Sequence, residues 1–326
     1  MKKEERIETS KKLLKEKKYL KALDELLPLL YGAPVLFEVE KLKTEIYAAL
    51  TAQIKTGKHT PNTQMRFGTS GWRGKLGEDF TYQNVAVVTE ALCRVLSGRS
   101  DFISQENIEK NMGMGFDEIK KRGVVIGHDA RYFGKEFSAV AISIIEKYGI
   151  NALYIGQTST PEISAAILQE NAAFSINFTP SHNPWMYHGY KFNPPDGGPA
   201  GKEFTVPIQD EANKIFDDIG NVCLDYSDEI PLNVRVEDPV ELYLKYLNKK
   251  ASHLVNVEKL KENINNSRGF VFVADNVFGS SIGKFEKILS GVGKEKLNVL
   301  NAEREVFFKG RSVEPSAPYL SNLQEE

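Results

Sequence analysis

Short apolar runs that alternate with helical stretches constrain the fold of this chain most. Three runs, "RGVVIGHD", "NALYIG" and "AFSINFT", are rich in β-branched and other apolar residues. Helical patterns over about 137–148 and 161–170 separate them. Strands that alternate with helices are typical of a parallel or mixed sheet covered by helices. We therefore predict an α/β fold in which a mixed sheet has helices on both faces.

Two further segments flank this unit. From about Glu4 to Lys55, apolar residues recur at helical spacing, and "YGAP" interrupts the pattern. This predicts an N-terminal helical hairpin that docks on the rest of the chain, because one helical pair is too short for a repeat array. Near Glu237 a second α/β unit begins, and its strand pattern is incomplete. The expected domains are a helical hairpin over 1–58, a first α/β domain over 59–236 and an incomplete second α/β domain over 237–326.

The charge balance excludes a strongly basic or acidic surface. The 326 residues contain 42 Lys and Arg against 44 Asp and Glu. No global field therefore attracts nucleic acid or an anionic membrane, so any phosphate must be bound by local groups. Two distant cysteines, Cys93 and Cys223, argue against a disulfide scaffold or a zinc site. No signal peptide or membrane-spanning run is evident, and we expect a cytoplasmic protein.

One polar stretch is unusually stiff for a loop. "FTPSHNPWMYHGYKFNPPDGGPAG", residues 178–201, carries five prolines together with Ser181, two histidines and Lys191. It directly follows the run "AFSINFT", which places Ser181 at the carboxyl end of a strand, where open α/β sheets bind ligands. Prolines fix backbone angles, so we expect the side chains of this loop to hold defined positions.

Three other interpretations of this stretch are a structural turn, a serine hydrolase site and a metal site. Ser, Asn and Pro are also ordinary turn residues, so "SHNP" is compatible with a structural turn alone. A serine hydrolase is disfavoured, because there is no GxSxG motif and no evident carboxylate to orient His182 or His188. A metal site on these two histidines is disfavoured by their spacing of six positions, which does not place them on one helical face.

Two glycine-containing loops add charged groups. "RFGTSGWRG", residues 66–74, offers backbone amides, the hydroxyl of Ser70 and the guanidinium of Arg73 to an anion. "GHDARYFG", residues 127–134, follows a strand and carries Asp129 and Arg131. Taken singly, the first is compatible with a plain turn and the second with a local ion pair. Together with the serine stretch, they predict one polar site at the edge of the sheet.

These three motifs carry a family resemblance. "FGTSGWRG", "GHDAR" and "TPSHNP" followed by "GYKFNPPDGGPA" resemble the α-D-phosphohexomutases, and the proline-containing tail is most similar to the glucose-specific bacterial phosphoglucomutases. The resemblance covers residues 66–326. It implies that Ser181 is carried as a phosphoserine that exchanges its phosphoryl group with a hexose phosphate. It also implies that His182 supports this phosphate and that Lys191 moves the proton of the sugar hydroxyl.

The resemblance assigns the other polar residues to substrate and phosphate binding: Ser70, Arg73, Asp129 and Arg131. The implied reaction interconverts glucose 1-phosphate and glucose 6-phosphate through glucose 1,6-bisphosphate, with Mg²⁺. The family's D-x-D-x-R metal loop, its sugar loop and its distal phosphate-binding loop are missing, so the metal would have only the phosphate on Ser181. We expect a fragment of a longer phosphoglucomutase that is inactive alone.

The alternative is a naturally shortened, non-catalytic protein that binds sugar phosphates or other proteins. In either case the expected small-molecule partner is a hexose phosphate. The N-terminal hairpin, which lies outside the resemblance, is a candidate site for a protein partner.

Overall fold

The computed structural model of the chain describes residues 2–32, 34–57, 64–68, 71–219, 224–320 and 323. Its first three helices are α1 (Lys3–Lys15), α2 (Tyr19–Leu30) and α3 (Phe37–Thr56). The helical character predicted for this segment is confirmed, but the structure has three helices where the sequence predicts two. The first break follows α1, where Lys17 has a φ of 58°, a left-handed conformation that does not continue a helix. Residues 58–63, which follow α3, lie outside the described residues.

The main sheet contains seven strands in the spatial order β1-β2-β6-β5-β3-β4-β7. The strands are β1 (Phe67–Gly68), β2 (Gly71–Lys75), β3 (Val124–His128), β4 (Ala152–Gln157), β5 (Phe174–Phe178), β6 (Tyr187–Asn193) and β7 (Arg235–Val236). Strands β5, β3, β4 and β7 pair in parallel, whereas β1, β2 and β6 join the sheet by antiparallel pairing. The sheet is therefore mixed, as predicted.

Helices cover both faces of this sheet. Along β3, Val124 and Ile126 pack in the large hydrophobic core, whereas Val125 packs in a second, smaller core. Alternate residues of a strand point to opposite faces, so the two cores lie on the two sides of the sheet. The remaining helices up to β7 are α4 (Tyr82–Leu96), α5 (Gln105–Met112), α6 (Phe116–Arg122), α7 (Gly134–Glu146), α8 (Thr160–Glu170) and α9 (Lys202–Asp217).

Two strands lie inside stretches that the sequence presents as loops. Strand β6 occupies the middle of residues 178–201, and β2 occupies the end of residues 66–74. Within β6, His188, Tyr190 and Phe192 are all buried and alternate with glycine and lysine. This period of two is the signature of a strand with one apolar face, although glycines and prolines surround it.

The last part of the chain forms a small α/β unit with its own two-stranded sheet. It contains α10 (Pro239–Lys250), α11 (Val257–Asn266), β8 (Phe272–Asp275), α12 (Lys284–Ile288) and β9 (Leu297–Leu300). Strands β8 and β9 pair in parallel. A buried ion pair joins this unit to α8, one of the helices that cover the main sheet. Lys284 Nζ lies 2.7 Å from Glu162 Oε1. The domain boundaries at 58 and 236 stay a prediction.

The described part of the chain has no helix that is both long and apolar enough to span a bilayer.

Candidate functional site

Ser181 lies in a turn with an unusual backbone conformation. The turn, residues 179–186, connects β5 to β6 and is called the serine loop below. Ser181 has a φ of 67°, in the left-handed region that residues other than Gly, Asn and Asp seldom adopt. Its backbone N–H donates to Thr179 Oγ1 at 3.1 Å. A non-glycine residue in this region is strained and persists only when its surroundings determine the conformation.

Hydrogen bonds from Arg131 hold much of the serine loop in its conformation. Its side chain is 2% exposed and lies beneath the serine loop. Nη2 donates to the carbonyls of Ser181 at 3.1 Å and Asn183 at 2.5 Å. Nη1 donates to the carbonyls of Pro184 at 2.8 Å and Tyr187 at 3.3 Å. Because a guanidinium is planar and rigid, these four acceptors are held in a fixed arrangement.

Asp129 in turn holds Arg131. Its Oδ2 accepts from Arg131 Nε at 3.1 Å, and its Oδ1 accepts from the Arg131 backbone N–H at 3.0 Å. Burial lowers the pKa of Arg131, and the charge of Asp129 opposes that shift. A guanidinium ordinarily titrates so high that Arg131 remains a cation at neutral pH. The loop is therefore built on a buried, paired positive charge.

The backbone of β6 approaches the loop closely from another side. A Cβ atom at Gly189 would lie 2.3 Å from the carbonyl oxygen of Thr179 and 2.8 Å from the Cα of Pro180. Both are backbone atoms, which cannot move aside as a side chain does. Glycine at this position therefore allows the strand to pass beneath the residues that precede Ser181.

A cavity of about 400 Å³ opens beside the serine loop. Carboxyl ends of three neighbouring parallel strands contribute to its wall, through Asp129 after β3, Thr158 after β4 and Ser181 after β5. The polar part of the lining is Asp129, Arg131, Thr158, Ser159, Thr160, Thr179, Ser181, His182, Ser280 and Glu314. The structure thus brings Ser181, His182, Asp129 and Arg131 together at the edge that the sequence predicts.

His182 bridges the serine and a carboxylate from a distant part of the chain. Its Nδ1 lies 3.4 Å from Ser181 Oγ and 3.2 Å from Glu314 Oε2. A serine–histidine–carboxylate relay requires the serine and the carboxylate on different ring nitrogens. Here both approach the same nitrogen, so the geometry does not support a serine hydrolase.

Lys191 and Arg73 lie outside the lining of this cavity. Arg73 lies opposite Gly189 in the β2–β6 pairing, and Lys191 lies opposite Asn177 in the β5–β6 pairing. Arg73 lines a separate cavity of about 360 Å³ together with Gln64, Arg66 and Trp72. Lys191 is half-buried, and its pKa is lowered, first by burial and then by Arg73, while Asp129 raises it. Ser70 falls outside the described residues.

Comparisons with known proteins match this part of the chain. A family model described as phosphoglucomutase/phosphomannomutase, alpha/beta/alpha domain I, matches residues 100–218. The phosphoglucomutase of Entamoeba dispar is 26% identical over 297 residues, which cover 84% of this chain and 49% of that protein. The probable phosphoglucosamine mutase of Methanothermobacter thermautotrophicus is 25% identical over 270 residues, 79% of this chain and 48% of that protein. Residues 100–218 are therefore similar to domain I of the α-D-phosphohexomutases.

A solved structure of a phosphohexomutase supports the fold. The putative phosphomannomutase of Thermus thermophilus superposes with a TM-score of 0.60 at 24% identity, over 81% of this chain and 52% of that one. The chain spans about half the length of these phosphohexomutases.

The phosphohexomutase family implies a magnesium ion, and the described residues do not fit one. No group of three or more His, Cys, Asp or Glu side chains comes together as a metal site in the described residues. Within the cavity, both oxygens of Asp129 accept from Arg131, and Glu314 is paired with His182. Mg²⁺ in proteins is usually held by one or two carboxylates together with phosphate oxygens and waters, and both of these carboxylates are already paired with cationic side chains or histidine.

Two features of this candidate site are not evident from the sequence. Residues 304–315, called the 304–315 segment below, supply Glu314 to the cavity wall and Phe308 to one side of Arg131, whose guanidinium carbon lies 4.8 Å from the ring centroid. The loop after β4 supplies Thr158 to Thr160, where Ser159 and Glu162 form a capping box at the start of α8. The S-x-x-E spacing signals that helix start, but no spacing signal places the 304–315 segment beside the serine.

Proposed function

We propose that this chain carries the phosphoserine site of a phosphoglucomutase, with Ser181 as the residue that holds the phosphoryl group. The observation that carries the proposal is the strained Ser181 backbone, held over a polar cavity by the buried guanidinium of Arg131. Phosphoryl transfer is catalysed mainly by positioning and by neutralisation of charge. A residue that keeps one orientation before and after transfer suits that requirement.

The proposed transfer is balanced in bonds and protons. The hydroxyl oxygen of a hexose phosphate attacks the phosphorus on Ser181 Oγ, and the Oγ–phosphorus bond breaks as the new sugar oxygen–phosphorus bond forms. The sugar hydroxyl loses one proton, and Ser181 Oγ gains one. The reverse transfer from the other position of the bisphosphate regenerates phosphoserine. The site then returns to its starting state with the phosphate moved between the two positions of the sugar.

Lys191 is the proposed acceptor of the hydroxyl proton. Burial and the neighbouring charge of Arg73 lower its pKa, which increases the neutral fraction of the amine at neutral pH. A proton acceptor works best when its pKa lies close to the operating pH. His182 is proposed to contact the phosphate, since its Nδ1 already lies 3.4 Å from Ser181 Oγ.

Glucose phosphate is the proposed substrate, and glucose 1,6-bisphosphate the proposed phosphoryl donor. The similarity of the tail to glucose-specific phosphoglucomutases supports glucose, as does the name of the Entamoeba dispar relative. The relative from Methanothermobacter thermautotrophicus and the solved structure from Thermus thermophilus carry the names of a glucosamine and a mannose enzyme. A direct comparison of sugar phosphates therefore tests the identity of the sugar.

Phosphoryl uptake by the purified chain tests the proposal, because one transfer from a donor to Ser181 does not require the mutase turnover that the chain is expected to lack. The chain is incubated with glucose 1,6-bisphosphate, and intact-mass measurement followed by peptide mapping locates any phosphoryl group. We expect one group on Ser181 and none on a Ser181→Ala variant. Label on another residue, with Ser181 unmodified, would reject the assignment.

The sugar is tested in parallel with mannose 1,6-bisphosphate as donor. Faster uptake from the glucose compound supports the glucose assignment. Equal or slower uptake would limit the proposal to phosphohexomutase chemistry in general.

A further inference from the structure

The 304–315 segment contacts Arg131, the residue that holds the serine loop. Arg304 donates to two successive carbonyls, from Nε to Ala130 at 2.8 Å and from Nη2 to Arg131 at 2.7 Å. Phe308 covers the Arg131 guanidinium from one side. Arg131 is therefore fixed both through its main chain and through its side chain by residues of one segment, although Arg304 lies 173 positions further along the chain.

The N-terminal helices contact the same segment. Tyr31, the residue after α2, donates its hydroxyl to Glu305 Oε2 at 2.6 Å. The same oxygen accepts the backbone N–H of Lys309 at 2.8 Å. Burial and Glu305 raise the pKa of Tyr31, so its hydroxyl stays protonated at neutral pH and keeps donating. The carboxylate of Glu305 thus ties α2 to the turn that carries Phe308.

Aromatic rings form a second connection between the same parts. Tyr47 in α3 packs on Tyr132 with ring centroids 4.6 Å apart. Tyr132 packs on Phe307 at 5.5 Å, and Phe307 packs on Trp185 in the serine loop at 5.0 Å. Offset and edge-to-face pairs at these distances are favourable contacts. The N-terminal helices are therefore joined to the serine loop by a continuous set of side chains.

We propose that Arg304 is a positioning residue for the serine loop, and that the N-terminal helices keep Arg304 in place through Tyr31 and Glu305. The functional consequence rests on the proposed role of Ser181. Arg304 is not among the described residues that line the cavity, so it acts through Arg131 and not on a substrate. When Arg304 is lost, the carbonyls of Ala130 and Arg131 lose their charged donor, and the guanidinium beneath the loop gains freedom to move.

The test compares three variants of the full chain with the unmodified protein. Arg304→Gln removes the charged donor, and Arg304→Lys keeps the charge with a different geometry. Tyr31→Phe removes only the hydroxyl from the contact with Glu305. The matched control is Arg311→Gln, because Arg311 is exposed and its guanidinium has no hydrogen bond or ion pair to the described residues.

Hydrogen exchange is measured by mass spectrometry on peptides that cover residues 179–188 and, as an internal reference, residues 124–128 of β3. A hydrogen bond from a charged donor shifts a local opening equilibrium about tenfold or more, so we expect loop exchange to rise about tenfold in Arg304→Gln. The contact of Tyr31 with Glu305 is exposed and acts on the loop only through Arg304, so the rise in Tyr31→Phe should be smaller, about twofold. Arg304→Lys should fall between them, and exchange in β3 should stay unchanged.

Three outcomes would overturn the proposal: unchanged loop exchange in Arg304→Gln, an equal rise in the loop and in β3, or the same effect in Arg311→Gln. The exchange measurement needs no phosphoryl donor, so it tests the positioning role even if Ser181 accepts no phosphate. The initial rate of phosphoryl uptake at Ser181 is then measured for the same variants. It should fall in the same order as loop exchange rises, and a rate unaffected in Arg304→Gln would contradict the functional part.

Discussion

Replacement of Ser181 by glycine should stabilise the protein, whereas replacement by alanine should not. Ser181 has a φ of 67°, where the Cβ of an L-residue is crowded by the neighbouring carbonyl. Glycine has no Cβ and adopts this conformation without strain. Alanine keeps the Cβ and removes only the hydroxyl, whose one described side-chain contact, to His182 Nδ1, is 3.4 Å long.

The size of the effect follows from two opposing contributions. Relief of the left-handed strain favours glycine by about 1–2 kcal/mol. The greater freedom of glycine in the unfolded chain costs about 0.4–1 kcal/mol. Ser181→Gly should therefore be more stable than Ser181→Ala by about 1 kcal/mol. Ser181→Ala itself should differ little from the unmodified protein, because a contact of 3.4 Å is a weak hydrogen bond.

Urea denaturation followed by circular dichroism measures these free energies of unfolding. Ser252 serves as the control position, because it is exposed and its φ is not positive. There glycine should be less stable than alanine, so the order of the two variants should reverse between the two positions. A Ser181→Gly variant that is less stable than Ser181→Ala would refute the claim that the serine is strained. Both Ser181 variants should also fail to take up a phosphoryl group.

Three other side chains give testable expectations. Lys191→Ala should slow phosphoryl transfer from phosphorylated Ser181 to glucose 1-phosphate about 10²-fold or more in a quenched single-turnover assay. An unchanged rate would show that Lys191 does not accept the hydroxyl proton. Lys284→Met should lower the free energy of unfolding by about 3–5 kcal/mol, because the buried carboxylate of Glu162 loses the cation that neutralises it; adding Glu162→Gln should recover much of this loss, and a larger loss in the double variant would contradict the argument. Burial lowers the pKa of His188 from 6.5 to about 4, so the unfolded chain takes up a proton first as the pH falls. Stability should therefore drop between about pH 6.5 and 4, by about 3 kcal/mol in total; His188→Phe should flatten this part of the urea-denaturation profile, and a profile with the same slope would show that His188 does not carry the effect.

The sequence predicts the parallel centre of the sheet because its strands are continuous apolar runs. Val124 to Ile126 and Phe174 to Ile176 are buried on both faces, and such strands stand out against helical periodicity. Strand β6 does not stand out in the same way, since a histidine takes one position of its apolar face and its other face carries glycine and lysine. Its neighbouring prolines and glycines reinforce the impression of a loop. The antiparallel side of the sheet therefore emerges only from the structure.

The same distinction applies to the site. Ser181, His182, Asp129 and Arg131 follow strands whose carboxyl ends share an edge, so their proximity follows from the predicted topology. Arg304 and Glu314 follow no such rule, because the 304–315 segment reaches the site by docking across the end of the sheet. The bonds that Arg131 makes to the loop are equally invisible in the sequence. Its position next to Asp129 predicts an ion pair, and only the fold places four carbonyls around it.

The carbonyls gathered around Arg131 also set the direction of the peptide dipoles in the serine loop. In a trans peptide the N–H that follows a carbonyl points the opposite way. The carbonyls of Ser181 and Pro184 point at the guanidinium, so the N–H groups of His182 and Trp185 point away from it. A cation that is almost completely enclosed thereby orients the positive ends of these dipoles towards the opposite side of the loop. The charge of Arg131 therefore sets the polarity of the opposite side of the loop through the peptide dipoles, although the guanidinium itself is buried.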